Sequence, residues 1–437
     1  MNLSKYQEAI SQADTFKRYG KVMRAVGLMV ESLGPEVNIG EVCLIHNTAN
    51  NTHVKAEVIG FYNERIMLMP FADIAAIGPG CLVESTGKAL TVKIGRGLIG
   101  EVVDSLGECL DGSRLPKGLS SRLTEQMPPN PLSRPAISEP FQVGVKSIDS
   151  LLTVGKGQRV GIFAGSGVGK STLLGMIARN SGADINVIAL IGERGREVRE
   201  FIDNDLGQEG LQKSIVVVAT SDQPALMRIK GAYTATAISE YFRDQGFQVN
   251  LMMDSVTRVA MAQREVGLAA GEPPTTKGYT PSVFAALPKL LERTGTSMNG
   301  SITAFYTVLV DGDDMNEPIA DTVRGILDGH FVLDRNLAEQ GHFPAINVLK
   351  SISRVMNNII SDEHLNAAKQ IRDLMARYEE NSELIQIGAY KRGTNQEIDK
   401  AISFYPKIQT FLKQGITDRH TLEESITAMQ NLLNGGV

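Results

Sequence analysis

The 437-residue chain contains no tryptophan, and aromatic residues make up 5% of it. Stacking platforms for nucleic-acid bases are therefore scarce. The formal net charge of −5 supplies no basic footprint for a polyanion, so no nucleic-acid partner is expected. The three cysteines, Cys43, Cys81 and Cys109, are scattered and odd in number, and no Cys-x-x-Cys pair occurs. That argues against a zinc site or a disulfide framework. The six histidines show no ligand spacing. No apolar run approaches the roughly 18 residues that span a membrane, and residues 1–8 lack the apolar core of a signal peptide. A cytoplasmic protein is expected.

What the chain does have is length and glycine. Its size suits two or three domains rather than one core, and 43 glycines mark a loop-rich α/β chain rather than a helical bundle. Leu3, Tyr6, Ile10, Ala13 and Phe16 recur at helical spacing, which predicts a short helix over residues 1–20. The pattern then turns to strands. Val22, Arg24, Val26, Leu28 and Val30 alternate with the residues between them, and Val54–Val58 and Arg65–Met69 look alike, with Gly and Pro between. This predicts a small β-barrel over residues 21–95. Residues 95–140, rich in Gly and Pro, read as a linker.

From about residue 145 the order becomes strand, turn, helix, repeated. The apolar, largely unalternating runs at 160–163, 187–191, 215–218, 249–253 and 302–308 fit a buried parallel sheet. The fold class expected is α/β, a P-loop domain over 96–355 with the barrel before it and a helical domain over 356–437 after it. In the last of these, Leu365, Ala368, Ile371, Met375 and Tyr378 trace one helix face, and Thr421-Leu422-Glu423-Glu424 is a capping box that opens a final helix.

The strongest motif is Ala164-Gly165-Ser166-Gly167-Val168-Gly169-Lys170-Ser171, between an apolar strand and the helical run that begins at Thr172. Phosphates need bare backbone N–H groups, a helix N-terminus and an ammonium, and the glycines let the backbone wrap that closely. Lys170 is then the ligand of the β- and γ-phosphates, and the Ser171 hydroxyl a ligand of Mg²⁺. Ala164 stands where the motif usually has glycine, which matters only if the position needs positive φ. Hydrolysis of a nucleotide also needs a metal-holding acid and a group that orients water. Asp254 ends an apolar strand and suits the Mg²⁺ shell, while Glu193 ends the strand after the glycine loop and suits the attacking water. Asp311, Asp313 and Asp314 read as a polar loop. For the transition-state cation the residues alone leave Arg194, Arg196, Arg199, Arg258 and Arg354 unranked.

These segments resemble the catalytic subunits of rotary ATP synthases over nearly the whole chain, and most closely the type III protein-export ATPases. Gly192-Glu193-Arg194-Gly195-Arg196-Glu197 resembles the catalytic-glutamate loop, and residues 344–354 the family signature that ends in an arginine finger. Residues 272–284, 312–321 and 387–390 resemble export-ATPase segments, Ala164 is usual in that branch, and residues 24–31 lean to its flagellar members.

The resemblance implies ATP and ADP with Mg²⁺ as cofactors. It makes Glu193 the general base, Arg194 a phosphate neighbour, Arg258 a polar neighbour of the site and Phe343 the aromatic against adenine. Arg354 becomes a finger inserted from the adjacent subunit. It further implies a homohexamer that energises export of flagellar proteins, with a stator-like regulator on the N-terminal helix and a coiled-coil central stalk. Export gate, export substrates and chaperones complete the partners, at the inner face of the cytoplasmic membrane. The alternatives are a virulence secretion ATPase and a rotary catalytic subunit; residues 381–396 lack the acidic run that rotary subunits present to their rotor. An RNA translocase would need a basic, aromatic-rich N-terminal domain, which residues 22–90 do not supply.

Overall fold

The computed structural model describes residues 17–47, 52–74, 77–310, 312 and 314–435. The helix expected over 1–20 lies outside these up to residue 16, as do Asp311 and Asp313 of the polar loop.

Six strands close a barrel: β1 (Tyr19–Val26), β2 (Met29–Leu33), β3 (Glu41–Asn47), β4 (Thr52–Tyr62), β5 (Arg65–Pro70) and β6 (Leu82–Ala89). They pair antiparallel in the order β1-β2-β5-β4-β3-β6, and β6 returns to β1. Period-two patterning turns Val22, Val30, Ile45, Val58, Leu68 and Val83 inward. The alternation through Val22–Val30 is not one strand, however. Gly27, at φ 60°, turns the chain, and Val26 and Leu28 flank the turn exposed. Gly tolerates that conformation without strain, so a hairpin replaces the expected continuous strand.

Residues 95–140 are also more than a linker. β7 (Thr91–Ile94) pairs with β9 (Ser120–Leu123), while β8 (Val102–Asp104) between them joins the central sheet beside a later strand. Three residues are too few to register as a period. After a short pair, β10 (Pro140–Phe141) with β11 (Val154–Gly155), the central sheet continues. Its strands are β12 (Arg159–Ala164), β13 (Ile185–Ile191), β14 (Ser214–Ala219), β15 (Gln248–Asp254), β16 (Gly295–Thr296), β17 (Ser301–Leu309), β18 (Gly329–Leu333) and β19 (Ile352–Ser353). The order is β19-β18-β12-β17-β15-β13-β14-β8, with β16 on β17; β16 and β19 run antiparallel and the rest parallel. Both faces are covered, which is why the strands read as unbroken apolar runs. Ile162, Ile188 and Val216 pack on one face, and Phe163, Val187 and Val217 on the other.

The C-terminal helices Asp362–Glu380, Gln396–Leu412 and Leu422–Leu433 share the first of these cores through Ile371, Met375, Ile408 and Met429. The capping box is formed in both directions: Glu424 N–H donates to Thr421 Oγ1 at 3.2 Å, and Thr421 N–H to Glu424 Oε2 at 2.8 Å. No helix among the described residues is long and apolar enough to cross a membrane.

Two buried charge clusters tie the parts together. Arg293, 1% exposed, donates through Nε and Nη2 to both oxygens of Glu240 (2.9 and 2.6 Å) and through Nη1 to the Thr124 carbonyl. Lys230, on the helix Ala225–Asp244, pairs with Glu57 of β4 at 2.6 Å and with Glu125. Beside it, Met29, Val42, Met69 and Phe71 of the barrel pack on Leu226 and Ile229 of that helix.

Candidate nucleotide-binding site

β12 runs into the glycine loop, and the helix Lys170–Asn180 follows at once. Gly167 and Gly169 take φ 77° and 85°, conformations that β-carbons disfavour. Ala164 does not need one: it is the last residue of β12, fully buried and paired with Leu309 and Leu333. Replacing the usual glycine with alanine is therefore harmless here.

Lys170 points into a cavity of about 590 Å³ at the C-terminal edge of the sheet, lined by residues 164–167 and 169–172 together with Glu193, Arg194, Glu197, Ser221 and Arg258. Its Nζ lies 2.6 Å from Asp254 Oδ1 and 3.4 Å from Glu193 Oε1. The topology brings these together, since β13 and β15 are neighbours in register, with Leu190 opposite Asp254. Asp254 Oδ1 also accepts from Thr307 Oγ1 at 2.7 Å. Burial pulls the Lys170 pKa down, but Asp254 and Glu193 outweigh it and hold the ammonium above its ordinary value. Burial, then the Asp254 charge, push Glu193 up to about 7 against the pull of Lys170. A carboxyl that titrates near neutral pH is a stronger base than an ordinary carboxylate and still ionises at that pH, which suits a proton acceptor.

Gly192 lets the chain turn directly into Glu193. It takes φ 72°, and a β-carbon there would come within 2.8 Å of the Arg258 side chain. Arg258 thus packs over the strand end, and its Nε is buried with no hydrogen-bond partner among the described residues. Ser255 caps the helix Val256–Ala269 by accepting from the Arg258 N–H. Val168 is buried in the core below the loop and Ser166 lines the cavity. Thr172 also lines the cavity. Arg194 is largely exposed and pairs with Glu197 at 3.0 Å. Phe343 lies beside the loop, its ring 3.4 Å from where a Gly169 β-carbon would stand. It lines a second cavity, about 420 Å³, with residues 166–168, Arg335, Ala338 and Glu339.

Arg354 is not brought to this cavity. It follows β19, and its N–H bonds the carbonyl of Asp328, just before β18 and beside Arg159 at the start of β12. The six residues of β12 separate it from the glycine loop, roughly 20 Å at about 3.3 Å per residue. Its side chain is exposed. Three contributors went unread in the sequence. Thr307 and Ser221, whose N–H holds the Glu193 carbonyl at 3.0 Å, look like ordinary strand and loop residues. Arg335, beside Phe343, opens a short helix with no motif of its own. A threonine inside the apolar run 302–308 was the one available signal.

A doubly covered parallel sheet with a glycine loop at one strand's end, an ammonium inside the loop and two carboxylates on neighbouring strands defines a RecA-like P-loop nucleotide-binding domain. The chain belongs to the ATP synthase alpha/beta family, in the branch of flagellum-specific and type III secretion ATPases: that family's nucleotide-binding domain matches residues 144–353, its beta-barrel domain residues 22–87, and the type III secretion EscN ATPase C-terminal domain residues 360–431. It is 68% identical to the flagellum-specific ATP synthase of Bacillus subtilis over 97% of both chains. Among solved structures it resembles the assembled ATPase EscN of the enteropathogenic E. coli type III secretion system, with a TM-score of 0.90 and 47% identity over 95% of this chain and 100% of that one. EscN bound to its central stalk EscO gives 0.88 over the same shares.

Proposed function

We propose that the chain hydrolyses ATP to ADP and phosphate in a homohexameric ring that energises the export of flagellar proteins. The observation that carries the chemistry is the Lys170 ammonium held between Asp254 and Glu193 inside the glycine loop. A triphosphate entering the loop competes for that ammonium, and the loop's N–H groups and helix terminus add to the pull. Lys170 then compensates the β- and γ-phosphates, and Glu193, relieved of its cation, orients the attacking water and takes its proton. Residues 165–172 cradle the phosphates, and Phe343 packs on adenine. Arg194 and Arg258 neighbour the phosphate. Arg354, remote from its own loop, serves the nucleotide of an adjacent subunit.

Mg²⁺ suits the donors here, Ser171 with its hydroxyl and Asp254 with its carboxylate, since this ion takes one or two protein ligands and leaves the rest to phosphate and water. When bound it neutralises charge that develops on the phosphate oxygens. The flagellar reading is supported by the 68% identity to the flagellum-specific ATP synthase of Bacillus subtilis, against 47% to EscN of a type III secretion system. A coiled-coil central stalk is the partner by analogy with EscN and EscO. The N-terminal segment, residues 1–20, is the proposed docking site of a stator-like regulator, and the export gate, substrates and chaperones the partners at the inner face of the cytoplasmic membrane.

The test is ATP turnover by the purified full chain, together with flagellar subunits recovered outside cells that carry Glu193→Gln as their sole copy. Turnover by the parent and loss of exported subunits in the variant are expected. No turnover by assembled parent protein contradicts the reading.

A further inference from the structure

Arg354 presents its side chain outward, with a 3.3 Å bond from Nη2 to the Arg324 carbonyl. A group that acts at a distance must have its backbone fixed by something else, and a network of Asp328, Gln158, Ser353 and Arg159 does this. The Arg354 N–H donates to the Asp328 carbonyl at 2.9 Å. The same carbonyl accepts from Nε2 of Gln158 at 3.0 Å, and that nitrogen also lies 3.1 Å from Ser353 Oγ. Gln158 is fully buried. Ser353 in turn donates to the Thr153 carbonyl at 2.8 Å. The Asp328 carboxylate is gripped by Arg159 through its backbone N–H (3.1 Å), Nε (3.0 Å) and Nη2 (3.1 Å), a fork that sets orientation as well as distance. Gln158 and Arg159 stand at the start of β12, whose other end is the glycine loop.

We propose that Asp328, held by Gln158 and Arg159, is the positioning residue of Arg354, so that one strand carries the phosphate loop of its own subunit and the aim of the finger offered to the next. This rests on the reading of Arg354 as a finger acting between subunits. Asp328 touches no nucleotide on this account; it acts through Arg354 alone. The bland alternative is that the Arg159–Asp328 pair merely braces β12 and thus the chain's own loop.

Mixed rings of the full chain separate the two. Asp328→Asn should lower kcat about 10- to 10²-fold with KM little changed, the size of effect that small misplacements of reacting groups have. Mixed with Lys170→Ala protein, Asp328→Asn should recover activity, because some interfaces pair an intact loop with an intact finger. Mixed with Arg354→Ala it should recover none, because both lack a working finger. Recovery with Arg354→Ala would show that Asp328 serves its own loop and would overturn the proposal, as would wild-type turnover by Asp328→Asn.

Ser353→Ala covers the case in which Asp328→Asn does not fold. It keeps the ion pair and should give the same pattern with a smaller drop; unchanged turnover there overturns the proposal too. Lys170→Ala mixed with Arg354→Ala is the control. If rings shown to exchange subunits recover nothing in that control, the reading of Arg354 fails and the positioning role falls with it, an outcome distinct from failure of Asp328 alone.

Discussion

Arg293 and Lys170 are both cations set among carboxylates, and they differ in what surrounds them. Arg293 is saturated: its fork meets both oxygens of Glu240, its third nitrogen meets a carbonyl, and both side chains are almost wholly enclosed. Lys170 is not. It faces two carboxylates that compete for one ammonium, beside a cavity large enough for a ligand. A satisfied pair in an enclosed site fixes structure, and leaving one partner alone there is costly. A cation shared unequally at the wall of a cavity can be given up to an incoming anion. On the proposed reading the same chemistry serves architecture in one place and phosphate binding in the other.

Breaking the Lys170 side of this comparison should have the largest effect. Lys170→Ala is expected to abolish measurable ATP turnover, because the phosphate charge is left uncompensated. Stability should suffer less, since the stranded Asp254 carboxylate keeps the Thr307 hydroxyl and Glu193, raised to about 7, can take up a proton. Steady-state turnover and a thermal melt on one preparation check both halves. Arg354→Ala should follow, with a rate loss of about 10³-fold in assembled rings and an unchanged melt, as expected for an exposed side chain.

The structural cluster should invert the pattern. Glu240→Gln leaves the Arg293 guanidinium buried without a counter-charge and should cost about 3–5 kcal/mol of stability, while ATP turnover per folded ring stays near the parent value. Urea unfolding and active-site-normalised turnover would show it. Full stability with lost turnover would mean that the two clusters had been assigned the wrong way round.

The smallest effect is the pH dependence. Glu193 has its folded-state pKa raised, to about 7, so in the free protein its reactive, ionised form is lost as pH falls below that value. Then kcat/KM should drop about tenfold per pH unit on the acid side of about 7 and level off above it. The stability consequence runs the other way. Above the ordinary carboxylate range the folded protein binds more protons at this site than the unfolded chain. Its contribution therefore weakens from about pH 4.5 up to about 7 and is constant beyond. A flat kcat/KM profile across this window would remove Glu193 as the titrating base.

Much of the site was legible in the sequence because phosphate binding is written locally. The glycine loop, Lys170 and Ser171 are contiguous, and Glu193 and Asp254 each end an apolar run, so their meeting follows from a parallel sheet. The central strands were legible for the same reason: both faces are buried, so each reads as a continuous apolar run. What was not legible depends on pairing across distance. Thr307 matters because β17 lies beside β15, a fact no window of sequence contains. β8 is three residues long and belongs to a sheet whose other strands begin far downstream. The hairpin at Gly27 was hidden because Val26 and Leu28 are exposed apolar residues at its turn, and exposed apolar residues carry no pattern of their own.

On the proposed mechanism Glu193, and not a neighbouring acid, activates the water once Lys170 has moved to the phosphates. Glu193→Gln tests it most directly, because the side chain keeps its shape and loses only its basicity. Binding of ATP at equilibrium and single-turnover hydrolysis should be measured on the same assembled protein. Binding close to the parent's and hydrolysis slowed by about 10²- to 10⁴-fold are expected. Near-normal hydrolysis would contradict it and move the base to Glu197, one helical turn further along the same loop.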